Sequence, residues 1–165
     1  MPAGWILSGS CLIWRVENDI ISGMRFRDDE DFLYKVLGAA LVNNKSEIDE
    51  IMRVLETRGD GVRLVDDGSM YYNPGSGGRP GKIIIDRNAS IGAWMHEYRH
   101  FLDDEADGFI GLKALMDLDV YWGREYNGYM EEYRIAESLR RTDIMNEILK
   151  RMEARRDEIY RIQAD

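Results

Sequence analysis

Apolar positions recur at helical spacing along most of the chain and shorten to a strand-like alternation only near its middle. In residues 28–43 the acidic run Asp28-Asp29-Glu30-Asp31 suits the positive end of a helix, and Phe32, Val36, Leu37, Ala40 and Leu41 follow at helical spacing. A second helix is expected after Ser46 as N-cap, with Ile48, Ile51, Met52 and Leu55 on one face, ending at Arg58-Gly59-Asp60-Gly61. Residues 62–65, 70–72 and 83–85 then read as three short strands, the first two joined by Asp66-Asp67-Gly68. Residues 90–105 predict another helix, capped by Ser90, with Ile91, Trp94, Met95, Tyr98, Phe101 and Leu102 supplying its apolar faces. Beyond it the pattern predicts a helix over 110–120, an irregular aromatic and glycine stretch over 121–128, and helices over 129–140 and 143–162.

These elements predict an α+β fold, mostly helical, with a small sheet of about three strands packed beside the helix at 90–105. A length of 165 residues with 44% hydrophobic content fits one domain over 1–165. Within it, N-terminal helices and the sheet run to about residue 86, a central helical part covers about 90–140, and a C-terminal helix reaches about 162. The stretch Asn73-Pro74-Gly75-Ser76-Gly77-Gly78-Arg79-Pro80-Gly81-Lys82 is no phosphate loop. Ser76 stands where the first glycine is needed, and Ile83 follows Lys82 and opens a strand where Ser or Thr and a helix are required. A hairpin or flap fits it better.

Charge narrows the partners. With 31 acidic and 22 basic residues the net charge is -9, which argues against a nucleic-acid or anionic-membrane surface and leaves proteins or peptides. The single cysteine, Cys11, cannot form an intramolecular disulfide, so nothing asks for an oxidising compartment. Residues 5–14 are apolar but lack a basic flank and are interrupted by Ser8-Gly9-Ser10. They read as strand or core packing of a cytosolic protein, with a trimmed export signal as the alternative.

The chemistry concentrates in His96-Glu97-Tyr98-Arg99-His100, which holds the only two histidines of the chain. On a helix, residues four apart project from one face, so both imidazoles can reach one tetrahedral ion, with Glu97 beside its open position. A solvated helix carrying two ordinary histidines is the alternative. A catalytic zinc takes three protein ligands, and with histidine exhausted the third should be a carboxylate. Helical period places Glu132 among Tyr129, Tyr133, Ala136 and Leu139, turns Glu131 away and leaves Glu137 at the margin. Glu132 is therefore the expected ligand, since a buried carboxylate needs a metal or a partner such as Arg99.

These residues resemble the zincin metallopeptidases, and within them the branch in which HExxH on one helix is completed by a glutamate on a later one. The resemblance covers about residues 83–140 and maps onto His96, Glu97, His100 and Glu132. It departs from the metzincin pattern, with Asp103 in place of the glycine and Ala106 in place of the third histidine. Ala136 stands where thermolysin-like members carry an aspartate that orients a histidine, and Asp119 in Asp119-Val120-Tyr121-Trp122-Gly123 is faintly similar to the aspartate-ligand branch. In size, acidity and motif the chain also looks like short zincin domains of phage, prophage and bacterial toxin proteins, which implies the cytoplasm of a bacterial or phage-infected cell.

The resemblance implies Zn2+ as cofactor and hydrolysis of a protein or peptide substrate by a metal-activated water, with Glu97 as general base. It further implies a hydroxyl donor to the substrate carbonyl, for which Tyr129 and Tyr126 are the candidates, Tyr129 preferred. Asp103 or Asp104 would orient an imidazole, and substrate would lie along an edge strand at 70–72 or 83–85. Two other readings stay open: a zincin-like binding or assembly module without turnover, and a metal-free helical interaction protein. A zincin-like ribonuclease ranks below them, given the acidic balance and the lack of a third histidine.

Overall fold

A computed structural model describes residues 31–161; the expectations for residues 5–14, for Cys11 and for residues 28–30 lie outside them. The fold is α+β, predominantly helical around one small three-stranded mixed sheet. The helix expected over 28–43 is broken in its described part into α1 (Tyr34–Leu37) and α2 (Ala40–Asn43). The break falls at Gly38, whose φ of 66° lies in the left-handed region that glycine enters without a Cβ clash. The next helix, α3 (Lys45–Arg58), buries Ile48, Ile51 and Leu55 as its periodicity demands. Its N-cap is Asn44, and Ser46 already lies inside the first turn.

Strands β1 (Val62–Val65), β2 (Met70–Asn73) and β3 (Lys82–Asp86) are ordered β1-β3-β2, with β1 parallel and β2 antiparallel to β3. Central placement explains why Ile83, Ile84 and Ile85 form an uninterrupted apolar run: all three are buried. It also removes residues 83–85 as a free edge. The edge that lies against the histidine helix is β2, which pairs with β3 in the register Tyr72 to Ile83.

That helix, α4 (Ile91–Ala106), starts where expected. The Ser90 hydroxyl accepts the N–H groups of Gly92 and Ala93 at 3.1 and 3.4 Å, and Asp31 in turn accepts from Ser90 N at 2.7 Å and Ser90 Oγ at 2.5 Å. Trp94 and Phe101 enter the core shared by the sheet and α3, among Leu55, Tyr72, Ile83 and Ile85.

Downstream the expectation fails. A short 3-10 turn (Leu112–Met116) stands in place of the helix over 110–120, and residues 121–128 are not irregular. They belong to α5 (Leu118–Ser138), an unbroken helix of 21 residues capped by Asp117, whose carboxylate accepts from the N–H groups of Asp119 and Val120. Gly123 and Gly128 suggested breaks, yet a glycine costs a helix interior only about 1 kcal/mol, which tertiary packing overrides. Finally α6 (Thr142–Arg161) lays Ile144 and Ile148 against Tyr129 and Ala136 of α5. Among the described residues no helix is long and apolar enough to cross a membrane.

Candidate metal centre

His96 and His100 lie one turn apart on α4, with ring centroids 4.8 Å apart and planes at 70°. Facing them, α5 presents Glu125, Gly128, Tyr129 and Glu132, a spacing of three, four and seven that keeps all four on one helix face. Gly128 allows the close approach: a Cβ there would sit 2.4 Å from His96 Cδ2 and 2.5 Å from Nε2.

The ligand atoms that converge belong to His96, His100 and Glu125, all within 4.8 Å of one another. Glu125 Oε1 is 3.5 Å from His100 Nε2. Glu132, the expected third ligand, stands on the other side of the ring, its Oε1 2.5 Å from His96 Nδ1. A carboxylate there accepts, so Nδ1 carries the proton and Nε2 keeps its lone pair, the outer-sphere arrangement common to metal-bound histidines. The carboxylate that converges with both imidazoles is thus Glu125, two helical turns before Glu132 on the same face. Arg99 does not pair with Glu132 but with Asp103, at 2.8 Å. The other carboxylates point elsewhere: Glu131 pairs with Arg134, Glu137 is exposed, and exposed Asp119 accepts from Tyr160.

Electrostatics suits a cation. Burial holds both imidazoles down, to about 4, so at neutral pH they are uncharged donors. Burial alone would raise the Glu125 carboxyl, but Arg155, together with His100 and His96, brings it below its ordinary value. Arg155 Nε lies 3.3 Å from Glu125 Oε2, leaving Oε1 toward His100.

Glu97 is buried and accepts the backbone N–H of Tyr72. Burial first, and the neighbouring Glu125 next, push its proton affinity well above the usual carboxylate range. It lines a cleft together with His100, Glu125, Tyr71, Tyr121 and Leu115.

Tyr129 is not in that cleft. It is 1% exposed, packs edge-on against His96 at 4.8 Å, and its hydroxyl has no hydrogen-bond partner among the described residues. Tyr126 is exposed and meets Trp122 edge-on, ring centroids 6.0 Å apart. Tyrosines that do line the cleft include Tyr121, four residues before Glu125, whose hydroxyl accepts from Arg155 Nη2 at 2.5 Å. Local sequence marks residues 121–128 as irregular, which hides the helix face that Tyr121 and Glu125 share. Neither predicted aspartate orients an imidazole: Asp103 pairs with Arg99 and Asn127, whereas Asp104 accepts from Tyr72 Oη and Gly75 N, each at 2.8 Å.

No protein-family model, curated protein or solved structure matches the chain. Its chemistry therefore rests on the donor set and on what surrounds it.

Proposed function

We propose that the chain is a zinc-dependent peptidase whose metal is held by His96, His100 and Glu125. The observation that carries this reading is the convergence of two neutral imidazoles and one carboxylate within 4.8 Å, beside a cleft lined by His100, Glu125 and buried Glu97. Two nitrogens and one oxygen are the donor set of many catalytic zinc sites. Zinc, when bound, supplies a Lewis acid that acidifies water to a pKa of roughly 7 and polarises a carbonyl oxygen.

The protein's own groups supply the rest. Glu132 fixes the tautomer and orientation of His96 through Nδ1. Glu97 takes a proton from the attacking water and returns it to the departing amine nitrogen, a shuttle that suits a carboxyl whose proton affinity burial has raised. Arg155 donates to the Tyr121 oxygen and so fixes the position of a phenol that lines the cleft, where it would border a bound substrate. Beside them runs β2, the edge along which an extended peptide would add backbone hydrogen bonds. A metal held only for structure has no use for Glu97, which is why turnover is favoured over a binding module.

Elemental analysis of untagged protein tests the site. Near-stoichiometric zinc that disappears in the His96→Ala/His100→Ala variant supports it, and metal-free protein that refuses added zinc refutes it. On a peptide library, Glu97→Gln should keep the metal and lose hydrolysis by about 10²–10⁴-fold; unchanged turnover would remove Glu97 from the mechanism.

A further inference from the structure

Arg155 comes from α6, 30 residues after Glu125 and 34 after Tyr121, and its side chain is almost wholly buried. Its guanidinium works in three directions. Nε reaches Glu125 Oε2 at 3.3 Å, Nη2 reaches Tyr121 Oη at 2.5 Å, and Nη1 reaches Glu158 Oε2 at 3.2 Å. The guanidinium carbon also lies 5.5 Å from the centre of the Tyr121 ring. Tyr121 and Glu125 are one turn apart on α5, so a single planar fork spans both.

We propose that Arg155 is a positioning residue that sets the Glu125 carboxylate as a one-oxygen donor and ties it to the Tyr121 side chain at the cleft wall. This rests on the metal-centre reading. By engaging Oε2, Arg155 leaves Oε1 to face His100, 3.5 Å from Nε2. Attraction for the metal cannot be its purpose, since a guanidinium repels a cation. Geometry is what remains, and it is a geometry only arginine can make: lysine keeps the charge but concentrates its donors on one nitrogen. Glu158, which also pairs with Arg151 at 3.0 Å, steadies the fork from within α6.

The test is zinc affinity by competition with a chromogenic chelator, with far-UV circular dichroism of the metal-free protein beside it. Arg155→Lys and Arg155→Met should both bind zinc about 10–100-fold more weakly than wild type while keeping its helix content. The visible bands of the cobalt-loaded variants should also shift, because the Glu125 donor is no longer held; a merely structural role would leave them in place. Wild-type affinity and bands in Arg155→Lys overturn the proposal. If both variants lose helix, Glu158→Gln replaces them, with a smaller weakening expected and unchanged affinity counting against the idea. A wild-type protein that binds no zinc is a separate result, which removes the centre and this role with it.

Discussion

Gly128 lies against the imidazole of His96, so close that a Cβ on it would meet Cγ at 2.9 Å and Nε2 at 2.5 Å. The ring is itself held from behind by Glu132 and edge-on by Tyr129, so it has nowhere to retreat. Gly128→Ala should therefore separate α4 from α5. Overpacking costs about 1–3 kcal/mol, and the better helix propensity of alanine returns at most about 1. Thermal unfolding of the metal-free variant should show the net loss, and zinc titration should show weakened binding; a variant that unfolds and binds like wild type would mean the helices are not packed this tightly.

Glu125 and Glu132 occupy equivalent positions two turns apart, yet their substitutions should differ in kind. Glu125→Gln removes a donor and should abolish stoichiometric zinc. Glu132→Gln keeps an oxygen near Nδ1 but weakens the bond that orients His96, and should lower affinity by about 10–100-fold without abolishing it. Isothermal titration of both variants decides the assignment, and the reverse order would return Glu132 to the metal.

The pairing of Glu125 with Glu132 also shows how far sequence reading carries. Helical period makes one side of α5 recognisable, with Glu132 the polar residue among Tyr129, Tyr133 and Ala136. The first half of the same face is hidden because its two glycines and cluster of aromatics carry the local signature of irregular chain. Local propensity counts Gly128 against a helix; only the neighbouring imidazole explains why glycine is needed there. The sheet was legible because Ile83-Ile84-Ile85 has the composition of a buried strand, but its central place, and hence which edge stays open, depends on strand pairing that no single segment encodes. Arg155 gave no local signal at all, since its partners lie on another helix.

Asp31 should make stability pH-dependent from outside the metal centre. Burial raises its proton affinity, although the bonds from Ser90 partly offset this. The folded chain then holds this proton more tightly than the unfolded chain. Its contribution is fully present below the ordinary value of 3.8 and is lost as pH rises from there through the raised folded value. Asp31→Asn, which cannot ionise, should lack that decline, so its stability relative to wild type should improve as pH increases across the window. Urea unfolding at a series of pH values checks the slope, and parallel curves for the two proteins would contradict it.

Asp104 ties the flap before β3 to the helix that bears the histidines. It is fully buried, accepts Tyr72 Oη and Gly75 N at 2.8 Å, and lies 3.4 Å from Arg124 Nη1. The Tyr72 hydroxyl is kept protonated by burial and then by the Asp104 charge, so it remains a donor at any pH the fold survives. Removing the carboxylate leaves three donors short of an acceptor at once, while Arg124 retains Asp107 at 2.7 Å. Asp104→Ala should cost about 3–5 kcal/mol, the usual penalty for breaking a buried charge pair from one side. The loss should appear first as faster hydrogen exchange at the Gly75 amide. Because Tyr72 and Pro74 line the cleft, a loosened flap should also raise KM for a peptide substrate more than it lowers kcat. Exchange at Gly75 that stays as slow as in wild type would show that the flap is held by its own turn and not by α4.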